Sequence, residues 1–113
     1  MKTDLVSIII HYGEIEYLRQ CLIYIFQNTF YQNLEIIVVS NEKILEMEEL
    51  CIPSNKVKII NSHKNLGYAG SINLGIKFSS GTILAILNND VIVGNNWLNP
   101  LIQILKKDNV AGV

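Results

Sequence analysis

The sequence is short of the residues that mark specialised classes of protein. It has only two cysteines, Cys21 and Cys51, both inside apolar periodic segments and without CxxC or metal-ligand spacing. That excludes a disulfide scaffold and predicts two buried thiols in a reducing compartment. With two prolines and seven glycines, the chain holds no low-complexity stretch, and no internal repeat is visible. Charge of one sign is also missing: 9 basic residues face 10 acidic ones, for a net charge of -1. No cationic field is available for a polyphosphate backbone, so nucleic acid is not an expected partner. Apolar runs are broken by polar residues too often for a transmembrane segment.

What remains is a chain of 113 residues, 50% apolar and 17% charged. This is the size of one ordinary domain, and a domain of that size buries roughly two thirds of its extended surface, enough for a core without staples. Only Lys2 precedes the first apolar run, which reaches His11 without a small-residue cleavage site. A secretory signal is therefore not expected, and the predicted location is cytoplasmic.

Leu5 to Ile10, Leu34 to Val39, Val57 to Ile60 and Ile83 to Leu87 are short apolar runs rich in β-branched residues. They predict buried strands, and their weak alternation predicts helices on both faces of a parallel sheet. Helical spacing appears between them. Ile15 to Asn28 carries Ile15, Leu18, Leu22, Ile25 and Phe26 on one face, and Trp97 to Lys107 carries Leu98, Leu101, Ile102 and Leu105. A helix from about Gly70 to Ser79 ends at Gly81, and a weak one from Lys43 to Cys51 is closed by Pro53, Ser54 and Asn55. Glu46, Glu48 and Glu49 predict a wet face on the latter. The alternation β-α-β-α-β-α-β-α predicts a single α/β domain over residues 1–113, half of a Rossmann-like sheet with strand order 3-2-1-4. Val110 to Val113 begins another apolar run with no turn or cap behind it, so truncation at the C-terminus is expected.

In an open parallel sheet, ligands bind outside the carboxyl ends of the strands, near the point where strand order reverses. Four segments qualify: His11-Tyr12-Gly13, Ser40-Asn41-Glu42, Asn61 to Gly70, and Asn88-Asn89-Asp90. Asp90 is a carboxylate directly after a buried strand. It suits a hard divalent ion such as Mg²⁺ or Mn²⁺, or serves as a turn former. Asn65-Leu66-Gly67-Tyr68-Ala69-Gly70-Ser71 leads into a helix as a plain β-α turn or as a phosphate or nucleoside contact. His11 is a hydrogen-bonded loop neighbour, a proton carrier or a ligand. Tyr12 stacks on a base or packs against the sheet edge, and His63 is solvated.

Several motifs in order resemble the donor-binding portion of the inverting family 2 glycosyltransferases, which have the GT-A fold. They are Val6-Ser7-Ile8-Ile9-Ile10 with His11-Tyr12, Leu18-Arg19-Gln20-Cys21-Leu22, and Gln27-Asn28-Thr29 before Leu34-Glu35-Ile36-Ile37-Val38-Val39. Asn65-Leu66-Gly67-Tyr68-Ala69-Gly70, Asn73-Leu74-Gly75-Ile76, Leu87-Asn88-Asn89-Asp90 and Trp97-Leu98 follow. The resemblance implies a UDP- or dTDP-sugar donor held by His11, Tyr12, Ser40, Asn41, Asn65, Gly67, Asn73, Asn88, Asn89 and Asp90. It also implies a divalent cation (Mn or Mg) at Asp90, a saccharide or lipid-linked acceptor, and a general base beyond Val113. On this reading the chain binds donor but does not turn over alone, and any contact with the cytoplasmic membrane face comes through the part beyond Val113.

The chain also departs from the family pattern. His11-Tyr12-Gly13 replaces Pro-x-Tyr-Asn, Ser40 replaces an aspartate, Ile72 an arginine and Asn88 the first acid of DxD. Loss of these charges weakens nucleotide or metal binding unless main-chain groups substitute. Asn-x-Asp with no arginine at position 72 resembles the rhamnosyltransferase-like branch, whose donors are often dTDP-sugars. The alternative reading is a non-catalytic nucleotide-binding or interaction module of the same fold. A receiver or flavodoxin-like protein fits poorly, because the acids or hydroxyls they need after the first strand are absent. An apolar edge left at the end of the sheet predicts self-association.

Overall fold

The computed structural model describes residues 4–41, 43–52, 55–107 and 111–113. Strands β1 (Val6–His11), β2 (Leu34–Ser40), β3 (Val57–Asn61) and β4 (Ile83–Asn88) form one sheet in the order β3-β2-β1-β4. Every pairing is parallel, as the near-continuous apolar runs require, and β1 lies in the centre with Ile8 opposite Ile36 on one side and Ala85 on the other. Helices α1 (Ile15–Asn28), α2 (Gly67–Lys77) and α3 (Leu98–Lys107) join or follow the strands.

Strand side chains alternate between faces, so the sheet has two cores. Val6, Ile8, Ile10, Ile36 and Val38 meet Leu18, Leu22 and Ile25 of α1 and Leu98 and Ile102 of α3. On the opposite face Ile9, Ile37 and Val39 lie under Ile72 of α2. Gly75 permits that close approach, since a Cβ there would stand 2.6 Å from Ile9 Cγ2 and 3.2 Å from Val39 Cγ2. The end of α1 is tied to the segment before α3: Asn28 Nδ2 donates to the Val93 carbonyl at 2.8 Å, and Trp97 Nε1 to Thr29 Oγ1 at 2.8 Å. Among the described residues no helix is long and apolar enough to cross a membrane.

Some expectations need correction. The stretch from Lys43 to Cys51 is not a helix but carries a single 3-10 turn, Met47–Leu50, closed by a reciprocal cap between Glu46 and Glu49. Its three glutamates are exposed. Helix α2 starts at Gly67 rather than Gly70, because the Asn65 side chain accepts the Gly67 N–H at 2.9 Å and Gly67 takes a φ of 70° that glycine tolerates. Cys21 is buried but Cys51 is exposed, since it occupies the left-handed position that ends the 3-10 turn. Phe26 and Leu101, read as inward, are 37% and 39% exposed, Phe26 bordering a cavity between α1 and the start of β3 and Leu101 a groove between β4 and α3. Glu42, Pro53, Ser54 and Val110 lie outside the described residues.

Candidate functional site

The strand order reverses between β1 and β4, and the last residues of these two strands, His11 and Asn88, are register partners. Beyond them lies a cleft of about 300 Å³ lined by His11, Tyr68, Asn88, Asn89 and Asp90. His11 follows Ile9 by two residues and so emerges on the α2 face, where its ring meets Tyr68 edge-on, 5.6 Å between centroids and 69° between planes. The Nδ1 atom of His11 is buried and is the one buried side-chain polar atom without a hydrogen-bond partner among the described residues. Asn88 and Asp90 are exposed on the turn after β4, where the Val91 N–H bonds back to the Asn88 carbonyl at 3.2 Å. Asn89 leans the other way, donating to the Glu14 carbonyl at 3.1 Å over Gly13.

Beneath this turn Cys21 Sγ lies 4.0 Å from the Asn88 carbonyl. Burial, reinforced by the negative charge of Asp90, pushes its thiol up to about 11. Cys21 therefore stays protonated and belongs to the packing below the cleft.

The loops after β2 and β3 are bound to each other and to α2. Asn41 Nδ2 donates to Ser71 Oγ at 2.7 Å, and Ser71 Oγ donates to the Gly67 carbonyl at 2.8 Å. Ser62 Oγ stands 2.8 Å from Asn41 Oδ1, and the Ser62 N–H bonds the Ser40 carbonyl at 2.9 Å. Asn61 acts as an extra rung, accepting the Leu45 N–H at 2.9 Å and donating to the Leu45 carbonyl at 3.2 Å. Ser40 is fully buried and donates to the Lys43 carbonyl at 2.6 Å.

Of the residues proposed from sequence, the fold thus brings together His11, Asn88, Asn89 and Asp90. Ser40, Asn41, Asn65 and Gly67 form a second group on the β2, β3 and α2 side, with the side chains of Ser40, Asn41 and Asn65 and the backbone of Gly67 engaged in local bonds. Tyr12 packs against the core on the α1 face, opposite to His11. Burial, and then the nearby Glu49 charge, raise its phenol above the ordinary value, with Arg19 acting in the opposite sense. Asn73 is exposed on α2 and does not line the cleft. Sequence reasoning passed over Tyr68 as a site residue, although it stood inside a motif already singled out. Its meeting with His11 joins residues far apart in the chain. Asn61 and Ser71 also stand inside segments singled out from the sequence without being named as site residues, and a polar residue at a strand end or in a first helical turn is the available signal.

Two larger cavities lie elsewhere. One of about 630 Å³ is at the amino-terminal end of the sheet between α1 and the start of β3, and one of about 410 Å³ lies between β4 and α3. Neither is lined by an aspartate or glutamate side chain. Among the described residues no three histidine, cysteine or acidic side chains cluster as a complete metal site. The donor set at the cleft is one carboxylate with amide and imidazole groups. That suits a hard cation which takes one protein carboxylate and completes its shell from a bound phosphate.

The profile of glycosyl transferase family 2 matches residues 7–113. An uncharacterized glycosyltransferase of Haemophilus influenzae is 31% identical over 110 residues, which is 93% of this chain and 34% of that protein. The glycosyltransferase GlyG of Streptococcus pneumoniae is 30% identical over 112 residues, 94% of this chain and 37% of its own length. The chain therefore spans about a third of these relatives. Among solved structures, the mannosyltransferase PcManGT of Pyrobaculum calidifontis, in complex with GDP-Man and Mn²⁺, superposes with a TM-score of 0.69. It shares 17% identity and covers 85% of this chain and 32% of its own, so the likeness is one of fold.

Proposed function

Because the chain belongs to glycosyl transferase family 2, we propose that it is the donor-binding portion of a sugar transferase and takes a nucleotide-diphosphate sugar at the cleft between β1 and β4. The observation that carries this reading is the convergence of His11, Asn88 and Asp90 where strand order reverses. Nucleotide sites in open α/β sheets form there because the strand ends splay apart and leave polar groups accessible.

Asp90 would hold the divalent cation, with Asn88 of the same cleft as a neutral neighbour. When bound, Mn²⁺ or Mg²⁺ neutralises charge on the leaving diphosphate as the glycosidic bond breaks. His11 and Tyr68 form the wall facing Asp90. The loops around Asn41 and Asn61 are already tied to each other and to α2, so little ordering is needed there if a nucleoside, of UDP or dTDP type, reaches them. Transfer with inversion requires a base opposite the leaving group. We place that base and the acceptor pocket in the portion of the relatives that this chain does not span. A lipid-linked acceptor would bring the whole enzyme to the cytoplasmic membrane face, whereas a free saccharide would not.

Titration calorimetry of UDP, dTDP and GDP, with and without Mn²⁺, tests the reading. Nucleotide diphosphate binding is expected to depend on the metal and to weaken at least about tenfold in Asp90→Ala, the loss of one charge-assisted contact. Heats that ignore both the metal and the substitution would instead favour a non-catalytic module of the same fold.

A further inference from the structure

The turn after β4 divides its side chains between two directions. Asn88 and Asp90 are exposed, whereas Asn89 between them is half-buried. Asn89 Nδ2 donates to the Glu14 carbonyl at 3.1 Å, and that carbonyl also accepts the Leu18 N–H at 3.0 Å. Glu14 is the residue that caps α1, and α1 is fixed to the sheet through the buried Leu18, Cys21, Leu22 and Ile25. The turn that carries Asp90 is thereby fastened to a rigid element 75 residues away in sequence. A second, weaker tie joins Cys21 Sγ to the Asn88 carbonyl, 4.0 Å apart. Gly13 makes room for the first tie. A Cβ at this position would stand 3.0 Å from Asn89 Oδ1, 3.4 Å from Nδ2 and 3.5 Å from Cγ. Gly13 does not take a positive φ, so the backbone there suits an alanine and only the space above it is contested.

We infer that Asn89 is a positioning residue for Asp90, seated on Gly13 and bonded to the cap of α1, so that the carboxylate is held toward the cleft before a cation arrives. The inference rests on the reading of Asp90 as the cation-binding group. Asp90 is exposed and stands on a turn closed by one backbone bond, from the Val91 N–H to the Asn88 carbonyl at 3.2 Å. A carboxylate so placed loses conformational freedom when it takes a cation, and fastening its neighbour beforehand lowers that cost. Asn89 is itself no ligand. Its amide turns down to α1 while the side chains on either side of it face outward, and it acts on the cation only through where it puts Asp90. The effect is confined to the cation side of the cleft, because the loops around Asn41 and Asn61 are tied to α2 and to each other by separate bonds.

Two measurements on the 113-residue chain test this: calorimetric titration of Mn²⁺ at fixed UDP, and backbone amide exchange without ligand. Asn89→Ala should weaken Mn²⁺ about tenfold, the usual scale for a group that orients a ligand. It should also speed exchange of the Val91 amide about tenfold while the amides of β1 keep their protection. Gly13→Ala should shift both readouts the same way but less, because Asn89 has to yield only slightly to the new methyl group. The double variant is decisive. Once Asn89 is truncated, the side-chain atoms that stood nearest the new methyl group are gone, so Gly13→Ala with Asn89→Ala should match Asn89→Ala alone. Effects that multiply would overturn the inference, as would an unchanged Val91 amide in Asn89→Ala. Faster exchange throughout β1 would overturn it too, since that marks a general loss of structure. Wild-type UDP binding that ignores Mn²⁺ would instead sink the donor-site reading and the cation role with it, and the exchange pattern alone would then decide whether Asn89 and Gly13 hold the turn.

Discussion

The carboxylate of Glu35 accepts the hydroxyl of Ser7 at 2.6 Å inside the sheet, although the two residues belong to neighbouring strands and both are buried. The same oxygen accepts the Ser80 N–H at 2.6 Å, and the other oxygen meets Lys58 at 3.0 Å. Ser7 Oγ in turn accepts the Gly81 N–H at 2.9 Å. This polar knot fastens the turn after α2 to β1 and β2, and so sets where β4 begins.

A pH dependence follows from the knot. Burial alone would raise the Glu35 carboxyl, but the bonds from Ser7 and Ser80, followed by Lys58, outweigh it and hold the group below its ordinary 4.5. The unfolded chain then binds the proton more readily than the native one. Stability from this group is complete above about 4.5 and is lost as pH falls through the depressed native value. Urea unfolding should show an acid limb in that window which Glu35→Gln removes. At neutral pH the substitution should itself cost about 1–3 kcal/mol, because buried donors lose a charged acceptor.

The sheet was legible because β-branched runs and strict α-β alternation leave few topologies, and α1 because its period is long and regular. The segment from Lys43 to Cys51 was misread because spacing over so short a stretch cannot separate a helix from one 3-10 turn. Phe26 and Leu101 show a different limit. Periodicity marks the apolar side of a helix but not how completely its neighbours cover it. At the site, His11 and Asn88 to Asp90 were visible as polar residues closing apolar strands. The contact of His11 with Tyr68 and the Asn61 bonds to Leu45 depend on how the loops fold back, which no local pattern encodes. Glu35 read as an ordinary strand residue, since its partners come from three other segments.

The two thiols should differ in reactivity. Cys21 is fully buried, and burial together with the Asp90 charge pushes it up to about 11, while Cys51 is exposed. Thiolate is the reactive form, so both access and ionisation protect Cys21. With a colorimetric disulfide reagent at mildly alkaline pH, one thiol per native chain should react promptly and the second only on unfolding. Cys51→Ser should abolish the prompt phase, whereas Cys21→Ser should leave it unchanged.

His11 supplies the sharpest separation of stability from binding. Its Nδ1 is buried without a partner among the described residues, and such an atom costs free energy that an apolar replacement of similar shape recovers. His11→Phe keeps a ring against Tyr68, whose edge contact at 5.6 Å needs no nitrogen. Thermal unfolding of this variant should therefore match or exceed the parent, by up to about 1 kcal/mol. If the imidazole faces a bound nucleotide as its place in the cleft implies, calorimetric affinity for the diphosphate should fall several-fold in the same variant. A stabilised protein with weakened binding marks a polar atom held unpaired for its ligand. A destabilised protein with unchanged binding would make His11 a packing residue and shift the donor site toward Asn88 and Asp90 alone.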